Sequence, residues 1–233
     1  MAIVTINGPI GAGGIEIGYQ VARHVNADYV DRHIFVEAAA LASATVQSFT
    51  EKEQRILKLR DHIANFVQNM LERSAIAGAG GDPYFGPDMG SLLSEEYTNL
   101  SDMASQNVPK LDDDKFIELT TAVIEDLAAG GNVVIIGRAS NIILKNYSDV
   151  LHVGLIAPLE FRINTIVERE HFSPSEAKIH VMNTEKARVA YFRKFFKVHP
   201  DDPNLYDLVL NMDKMSVESA TEIISHSVVG FLK

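Results

Sequence analysis

Residues Ala2–Gly18, AIVTINGPIGAGGIEIG, carry the clearest fold signal in this protein. They begin with a short run of apolar and β-branched residues, Ala2–Ile6, which is typical of a buried parallel strand. A glycine-rich turn follows, and after it Ile17 and Val21 begin a helical repeat of apolar positions. The sequence therefore predicts a strand, a glycine loop and a helix before residue 26.

The glycine turn, GPIGAGG, carries the first chemical signal. Glycine permits a positive φ and lets the backbone approach a phosphate without a Cβ in the way. Successive amides then point inward, and the positive end of the next helix adds to their attraction for an anion. A tight packing turn is the alternative, but the strand–loop–helix context favours phosphate binding. The candidate nucleotide-binding residues are Gly8, Gly11, Ala12, Gly13, Gly14 and Ile15.

The loop departs from the complete phosphate-binding motif, GxxxxGK[ST]. That motif places a lysine and a hydroxyl where this chain has Gly14 and Ile15. The lysine neutralises phosphate charge, and the hydroxyl holds Mg²⁺. The dinucleotide fingerprint GxGxxG does not fit the glycine spacing either.

Four more short apolar runs are predicted to be strands, each separated from the next by helix-forming sequence. They are Asp28–Val30, Asn132–Ile136, Val150–Ile156 and Tyr206–Asn211. Helices are predicted over Ile34–Ala44, Glu51–Ala77, Phe116–Leu127, Asn141–Leu144, from Pro158, over Ser175–Phe196 and from about Val217 to Val229. Alternating strands and helices without tandem hairpins predict an α/β fold with a five-stranded parallel sheet flanked by helices.

The middle of the chain leaves two alternatives open. The apolar stripe of Ile56–Met70 is typical of core packing, but it also fits a dimerisation helix or an acceptor-binding insertion. The glycine- and proline-rich segment Ala77–Gly90 is predicted to be irregular. The aspartates Asp112–Asp114 are interpreted as helix-capping residues rather than as a metal site.

Composition excludes several classes of function. The chain has 233 residues, of which 46% are hydrophobic and 22% charged, as in ordinary globular proteins. A formal net charge of −10 argues against nucleic-acid binding, and the lack of cysteine excludes disulfides, thiolate metal sites and cysteine nucleophiles. No GxSxG or HExxH motif is present, and the pair His33 and Glu37 is interpreted as a surface or capping pair. With no signal-peptide pattern and no apolar stretch of membrane-spanning length, we expect a cytoplasmic protein that does not bind membranes.

Several ordered segments resemble the cytidylate-kinase-like family, which belongs to the P-loop nucleoside monophosphate kinases. GPIGAGG is similar to the GPxGxGK loop of cytidylate kinases, and Ile10–Gly18 is more similar still to a family loop such as FGSGGREIG, which has no lysine. The other matching segments are Tyr29–Arg32, Val134–Arg138, Ala157–Arg162, Lys186–Tyr191 and Leu205–Asn211. They cover both ends of the chain in order and leave Thr45–Pro109 unmatched.

The resemblance implies a P-loop nucleotide kinase fold and phosphoryl transfer from ATP, with Mg²⁺, to a nucleoside monophosphate or a related small acceptor. It implies one domain over residues 1–233, with a helical insertion at 45–110 and a lid region at 160–205. The partner is then a nucleotide substrate, and a homodimer is carried as a hypothesis.

The resemblance also implies roles for arginines, which bind phosphate through two donors. Arg138 follows a predicted strand and is expected to contact the acceptor phosphate. Asp31 follows the second strand and is the other candidate acceptor-binding residue, which accepts hydrogen bonds from a ribose or base or orients an arginine. Arg188 and Arg193 fall in the lid and are, with Arg138, the candidate catalytic residues. Arg162, Arg169 and Lys186 are secondary candidates, and no metal ligand is predicted. For any one arginine the alternative is a solvated helix face or an ion pair with a nearby glutamate.

Three hypotheses for the function follow. The leading one is a nucleotide kinase, in which lid cations supply the charge that Gly14 and Ile15 do not. The second is a nucleotide-binding sensor or scaffold that retains the fold with little or no turnover. The third is a dinucleotide-dependent oxidoreductase with Asp31 as its ribose-binding acid, which the glycine spacing disfavours.

Overall fold

The computed structural model describes residues 2–31 and 113–231, and in these ranges five strands form a single parallel sheet. The sheet order is β2-β3-β1-β4-β5. The strands are β1 (Ile3–Asn7), β2 (Asp28–Val30), β3 (Val133–Ile136), β4 (Val150–Ile156) and β5 (Leu208–Asn211). Every neighbouring pair is parallel, so the predicted five-stranded parallel sheet is confirmed.

The helices of the described ranges end where local sequence signals place them. They are α1 (Gly14–Val25), α2 (Asp113–Gly130), α3 (Ser140–Ile143), α4 (Leu159–Glu170), α5 (Pro174–Phe196) and α6 (Val217–Phe231), with a short 3₁₀ turn at Pro203–Leu205. Gly131 ends α2 with a φ of 68°, and its amide donates to the carbonyl of Ala128 at 2.9 Å. A capping box between Ser173 and Glu176 begins α5.

Helices cover both faces of the sheet because its central strands are apolar on both sides. All five residues of β1 are buried. On one face, α1 and α6 pack against the sheet through Ile17, Val21 and Ile224. On the other face, α2 contributes Val123 and Ile124.

The last strand begins later than the sequence predicts, at Leu208 instead of Tyr206. The ring of Tyr206 packs on Gly154 of β4, where an added Cβ would come within 2.9 Å of it, and its hydroxyl donates to the carbonyl of Pro200 at 2.6 Å. The Asp207 carboxylate accepts the His152 amide at 2.8 Å. Side-chain contacts therefore hold both residues at the start of the strand.

The order of the strands defines one crevice. From β1 the chain passes through α1 to β2 on one side, and from β4 it passes through α4 and α5 to β5 on the other. Ligands of open α/β sheets bind at such a switch point, beyond the carboxyl ends of the strands. The glycine loop after β1 and the start of α4 after β4 therefore flank the expected site.

Several sequence-based predictions lie outside the described residues. They are the helices at Ile34–Ala44 and Glu51–Ala77, the 45–110 insertion, the Ile56–Met70 dimerisation hypothesis, the irregular segment Ala77–Gly90, the His33–Glu37 pair and Asp112. In residues 2–31 and 113–231, no helix is both long and apolar enough to cross a membrane.

Candidate nucleotide-binding site

The loop between β1 and α1 forms a backbone cradle. Gly11 and Gly13 have φ values of 81° and 83°, and between them the amide of Ala12 donates to the carbonyl of Pro9 at 3.1 Å. Gly13 is the N-cap of α1 and provides no side-chain cap. The first amides of a helix have no acceptor within it, so those of Gly14 and the next two residues are available to a ligand. Residues 13–16 are only half-buried, which leaves this helix end accessible.

Three of the four loop glycines are required, each for a different reason. A Cβ at Gly8 would lie 2.9 Å from the Leu155 carbonyl oxygen, and one at Gly11 would lie 2.6 Å from the Arg162 carbonyl oxygen. Gly13 has nothing closer than 3.4 Å, so its positive φ is the constraint. At Gly14 the nearest atom is 3.8 Å away and φ is not positive, so this backbone would accept a side chain.

Two more predicted site residues lie at the carboxyl edge of the sheet. Asp31 is buried directly after β2, whose Val30 pairs with Ile135 of β3. Arg138 follows β3 by two residues, is half-buried, and forms no ion pair with a carboxylate in the described part of the chain. The sheet therefore brings Asp31 and Arg138 to the edge where the glycine loop also lies.

Arg162 and Arg188 share one carboxylate. Glu185 accepts from Nη1 of Arg162 at 3.3 Å and from Nη2 of Arg188 at 2.9 Å. Nη2 of Arg188 also donates to the carboxylate of Asp201. Because Arg162 lies on α4 and the other residues lie on or after α5, this network joins the two helices beside the glycine loop. The Nε of Arg162 is buried and has no hydrogen-bond partner among the described residues.

The carboxylates keep Arg188 charged although its side chain is only 5% exposed. Burial lowers the pKa of the Arg188 guanidinium, but hydrogen bonds and charge from Glu185 and then Asp201 outweigh it, so the pKa is raised overall. For the neighbouring Tyr206 hydroxyl, which is neutral when protonated, burial has the opposite effect and raises the pKa to about 12, although the charge of Arg188 opposes that rise. Arg188 is thus a fixed positive charge within the fold.

Arg169 makes a second bridge, between the end of α4 and the first turn of α1. It donates to Glu16 at 3.2 Å and to Glu170 at 2.8 Å. Burial lowers the pKa of the Arg169 guanidinium, but the charge and hydrogen bonds of both glutamates outweigh it, so the pKa is raised overall. The pair with Glu16 fixes α4 against the helix that follows the glycine loop, and it neutralises a carboxylate at the cradle.

The other two predicted site cations of α5 lie away from this network. Lys186 and Arg193 are exposed, and neither forms an ion pair within residues 2–31 and 113–231. On an ideal helix they lie about 140–160° around the axis from Arg188. The structure therefore brings Arg162 and Arg188 together but leaves Lys186 and Arg193 on the solvent side of α5.

No metal site accompanies these groups where the structure is described. No group of three or more His, Cys, Asp or Glu side chains in those ranges is placed to hold an ion.

Comparison with known proteins identifies the family. The model of the cytidylate kinase-like family matches residues 3–214. The chain belongs to this family. The predicted resemblance is confirmed, and the fold is that of a P-loop nucleotide kinase.

Individual relatives agree with the family at lower coverage. A cytidylate kinase of Staphylothermus marinus is 32% identical over 127 residues, which are 54% of this chain and 68% of the relative. A cytidylate kinase of Methanocaldococcus jannaschii is 31% identical over 46% of this chain and 62% of the relative, so the match spans less than two thirds of that protein. An uncharacterized protein of Eubacterium ventriosum has a similar fold, with a TM-score of 0.59 at 16% identity over 98% of both chains.

The carboxylates that pair with the candidate arginines, Glu16, Glu185 and Asp201, were not predicted from the sequence. Glu185 and Arg188 are three residues apart on a helix, a spacing that could have indicated their ion pair. Glu16 and Arg169 are 153 positions apart, and Arg188 and Asp201 are separated by a loop, so no local pattern reveals those contacts.

Proposed function

We propose that this protein transfers a phosphoryl group from ATP to a nucleoside monophosphate, with CMP as the first acceptor to test. The observation that carries the proposal is the Gly11–Gly13 cradle, which opens on an uncapped helix end at the switch point of the sheet. Such a cradle suits a chain of phosphates because it combines several backbone donors with a positive helix end. Membership of the cytidylate kinase-like family supports the choice of chemistry.

In this proposal each element has a separate task. The backbone of residues 8–15 holds the donor phosphates, and Arg138 binds the acceptor phosphate beside Asp31. An oxygen of the acceptor phosphate attacks the γ-phosphorus, the bond from that phosphorus to the bridging oxygen breaks, and ADP leaves. Arginines disperse the negative charge of that transition state, and Mg²⁺ bound to the nucleotide would share the task.

The lid in this proposal is the pair of helices α4 and α5, within the 160–205 region of a single domain. Arg188 is already held by Glu185 and Asp201, so its contribution is a preset charge. Lys186 and Arg193 are unpaired in the described structure and would meet the phosphates only when α5 moves. Arg162 can use its unpartnered buried Nε as a donor to a ligand, whereas Arg169 serves to fix the loop.

Gly14 and Ile15 favour a second candidate function, a nucleotide-binding protein with little or no turnover. Both side chains that a complete loop would aim at the terminal phosphate and Mg²⁺ are missing. The two candidates share the cradle and differ in whether ADP is released.

The first experiment separates these candidates. Thermal denaturation is followed with ATP, CMP, dCMP, UMP, AMP and NAD, with and without Mg²⁺, and ADP release is measured in a coupled assay. A ligand at 100 times its dissociation constant stabilises the fold by about 2.7 kcal/mol, which is readily detected. A kinase gives shifts with ATP and one monophosphate together with ADP release, and a binding protein gives the shifts alone. If only NAD shifts the transition, both candidates are wrong.

A second experiment tests the cradle directly by restoring the missing charge. Because Gly14 has room for a side chain, Gly14→Lys should fold and tighten ATP binding about tenfold through new charge-assisted contacts. Gly14→Gln is the matched control, since it has similar bulk and no charge. If both variants leave ATP binding unchanged, the loop does not face the phosphates.

A further inference from the structure

The turn after β3 has an unusual backbone. Gly137, Arg138 and Ala139 have consecutive φ values of 75°, 55° and 54°. Glycine adopts this region freely, but arginine and alanine are strained in it. Strained conformations persist only where the surrounding structure holds them, and they concentrate at functional sites. Some contact must therefore hold Arg138 and Ala139 in place.

Hydrogen bonds fix the two ends of this turn. The amide of Gly137 donates to the carbonyl of Ile6 at 2.9 Å, and the amide of Ser140 donates to the carbonyl of Gly137 at 3.1 Å. The side chain of Asn7 donates to the Ser140 hydroxyl at 3.4 Å. These bonds tie the turn to β1, but they do not by themselves select the conformations of the two residues in the middle.

The middle of the turn packs against α5. Ala139 is fully buried in an apolar cluster with Tyr191 and Phe192. The Tyr191 ring also makes edge contacts with Phe192 and Phe195, at centroid distances of 5.9 and 5.2 Å. The charge of Arg138 is close enough to Tyr191 to counteract in part the rise in the tyrosine pKa that burial causes. The lid helix thus contacts the turn that presents Arg138.

We propose that Tyr191 and Phe192 are positioning residues, which clamp Ala139 and so hold Arg138 in the orientation that binds the acceptor phosphate. The methyl group of Ala139 is the point of contact, and a movement of α5 changes the orientation of Arg138. This inference rests on the proposed role of Arg138, and it adds a link between the lid helix and acceptor binding. The link runs through buried apolar packing, which has discrete arrangements and transmits displacement.

The test removes the clamp and leaves the strained conformation attainable. Ala139→Gly deletes the buried methyl group, and glycine adopts the same φ without strain, so the variant should fold. We expect calorimetry to show CMP binding weakened about tenfold, as for a charged contact that loses its orientation, with ATP binding unchanged. Hydrogen exchange in the peptide that contains residues 137–140 should be faster without ligand.

Two further variants make the result decisive. Ala177→Gly is the control, since Ala177 is buried between α4 and α5 but belongs to a different cluster, and it should leave the affinity for CMP unchanged. Arg138→Ala measures the full contribution of the arginine. If Arg138→Ala weakens CMP binding but Ala139→Gly neither weakens it nor speeds exchange, the positioning role is wrong and the proposed function stands. If Arg138→Ala leaves CMP binding unchanged, the proposed acceptor role of Arg138 is wrong, and the positioning role is overturned with it.

Discussion

In the proposed site, the glycine loop and the α4–α5 helices, which flank the same crevice, would balance phosphate charge in opposite ways. The loop offers backbone amides and a helix end, with no cationic side chain at Gly14 or Ile15. The two helices have abundant cationic charge, but Arg162, Arg169 and Arg188 are all paired with carboxylates. The charge that the loop lacks is therefore present nearby, but it is neutralised in this conformation.

Because these arginines are paired with carboxylates, a basic residue near the proposed phosphate site is not by itself evidence of phosphate binding. Arg169 is held between Glu16 and Glu170 and serves the packing of α4 against α1. Arg138, in contrast, is half-buried on a strained turn and has no carboxylate partner among the described residues. If this contrast is correct, substitutions that change the backbone shape should have the largest effect at the loop, and substitutions that remove charge should have the largest effect at the helices.

The largest expected effect is at the loop. Gly11→Ala places a Cβ 2.6 Å from a backbone oxygen at a φ of 81°, which should destabilise the fold by about 3 kcal/mol through strain and overpacking. Urea unfolding measures this loss, and ATP should no longer raise the melting temperature. Gly14→Ala is the control and should be neutral or stabilising by about 0.5 kcal/mol, because alanine favours helix. Equal effects of the two variants would contradict the described loop.

The next largest loss of stability is expected when the charge network between the helices is broken. Arg188→Ala leaves Glu185 and Asp201 without their shared cation and should cost about 2 kcal/mol, less than for a fully buried pair because Asp201 is 44% exposed. Equilibrium unfolding in urea at neutral pH measures it. A loss below about 0.5 kcal/mol, the size expected at an ordinary surface site, would show that this network does not stabilise the fold.

A pH effect of intermediate size comes from His152 in β4, away from both regions. Its Nδ1 lies 2.8 Å from the Thr5 hydroxyl, and burial lowers the pKa of the imidazole, an effect that the charge of Asp207 only partly offsets. The unfolded chain therefore binds the proton more readily. The contribution of neutral His152 to the free energy of unfolding is complete above the ordinary histidine pKa of 6.5. It declines as the pH falls below that value, by at most about 1.4 kcal/mol per pH unit.

Urea unfolding at pH 7.5 and pH 5.5 checks the histidine prediction. The variant His152→Asn keeps a polar atom near Thr5 and removes the titration, so it should lose less stability than the wild type over this interval. Carboxylates titrate in both proteins, so the difference between the two isolates the histidine. Parallel pH profiles would contradict the prediction.

The smallest effect on stability is expected at the exposed cations of α5. Lys186→Ala and Arg193→Ala should each change the free energy of unfolding by less than about 0.5 kcal/mol. If these cations serve the lid, ATP binding should weaken about threefold at low salt and less at high salt, because exposed charges are screened. Titration calorimetry at two ionic strengths measures this. Unchanged ATP affinity at both would remove the two residues from the proposed site.

Local sequence patterns predicted the five-stranded parallel sheet, the glycine loop and most helix bounds, because each of these depends on residues close together in the chain. Each of these patterns spans only a few residues. They are the apolar run Ile3–Ile6, the spacing of Gly8, Gly11 and Gly13, and the double glycine at the end of α2. The position of Arg138 after a strand was also predicted from the local pattern. The insertion and the dimerisation stripe lie outside the described residues and stay predictions.

Which cations are paired and which glycines packing requires could not be predicted, because both depend on contacts that form only in the folded chain. Arg169 meets a glutamate 153 positions away, and Gly11 is constrained by the backbone of Arg162. The left-handed conformation of Ala139 depends in the same way on side chains of a helix some fifty residues further along the chain. Contacts between distant segments depend on how helices pack on the sheet, and no local pattern in the sequence encodes that packing.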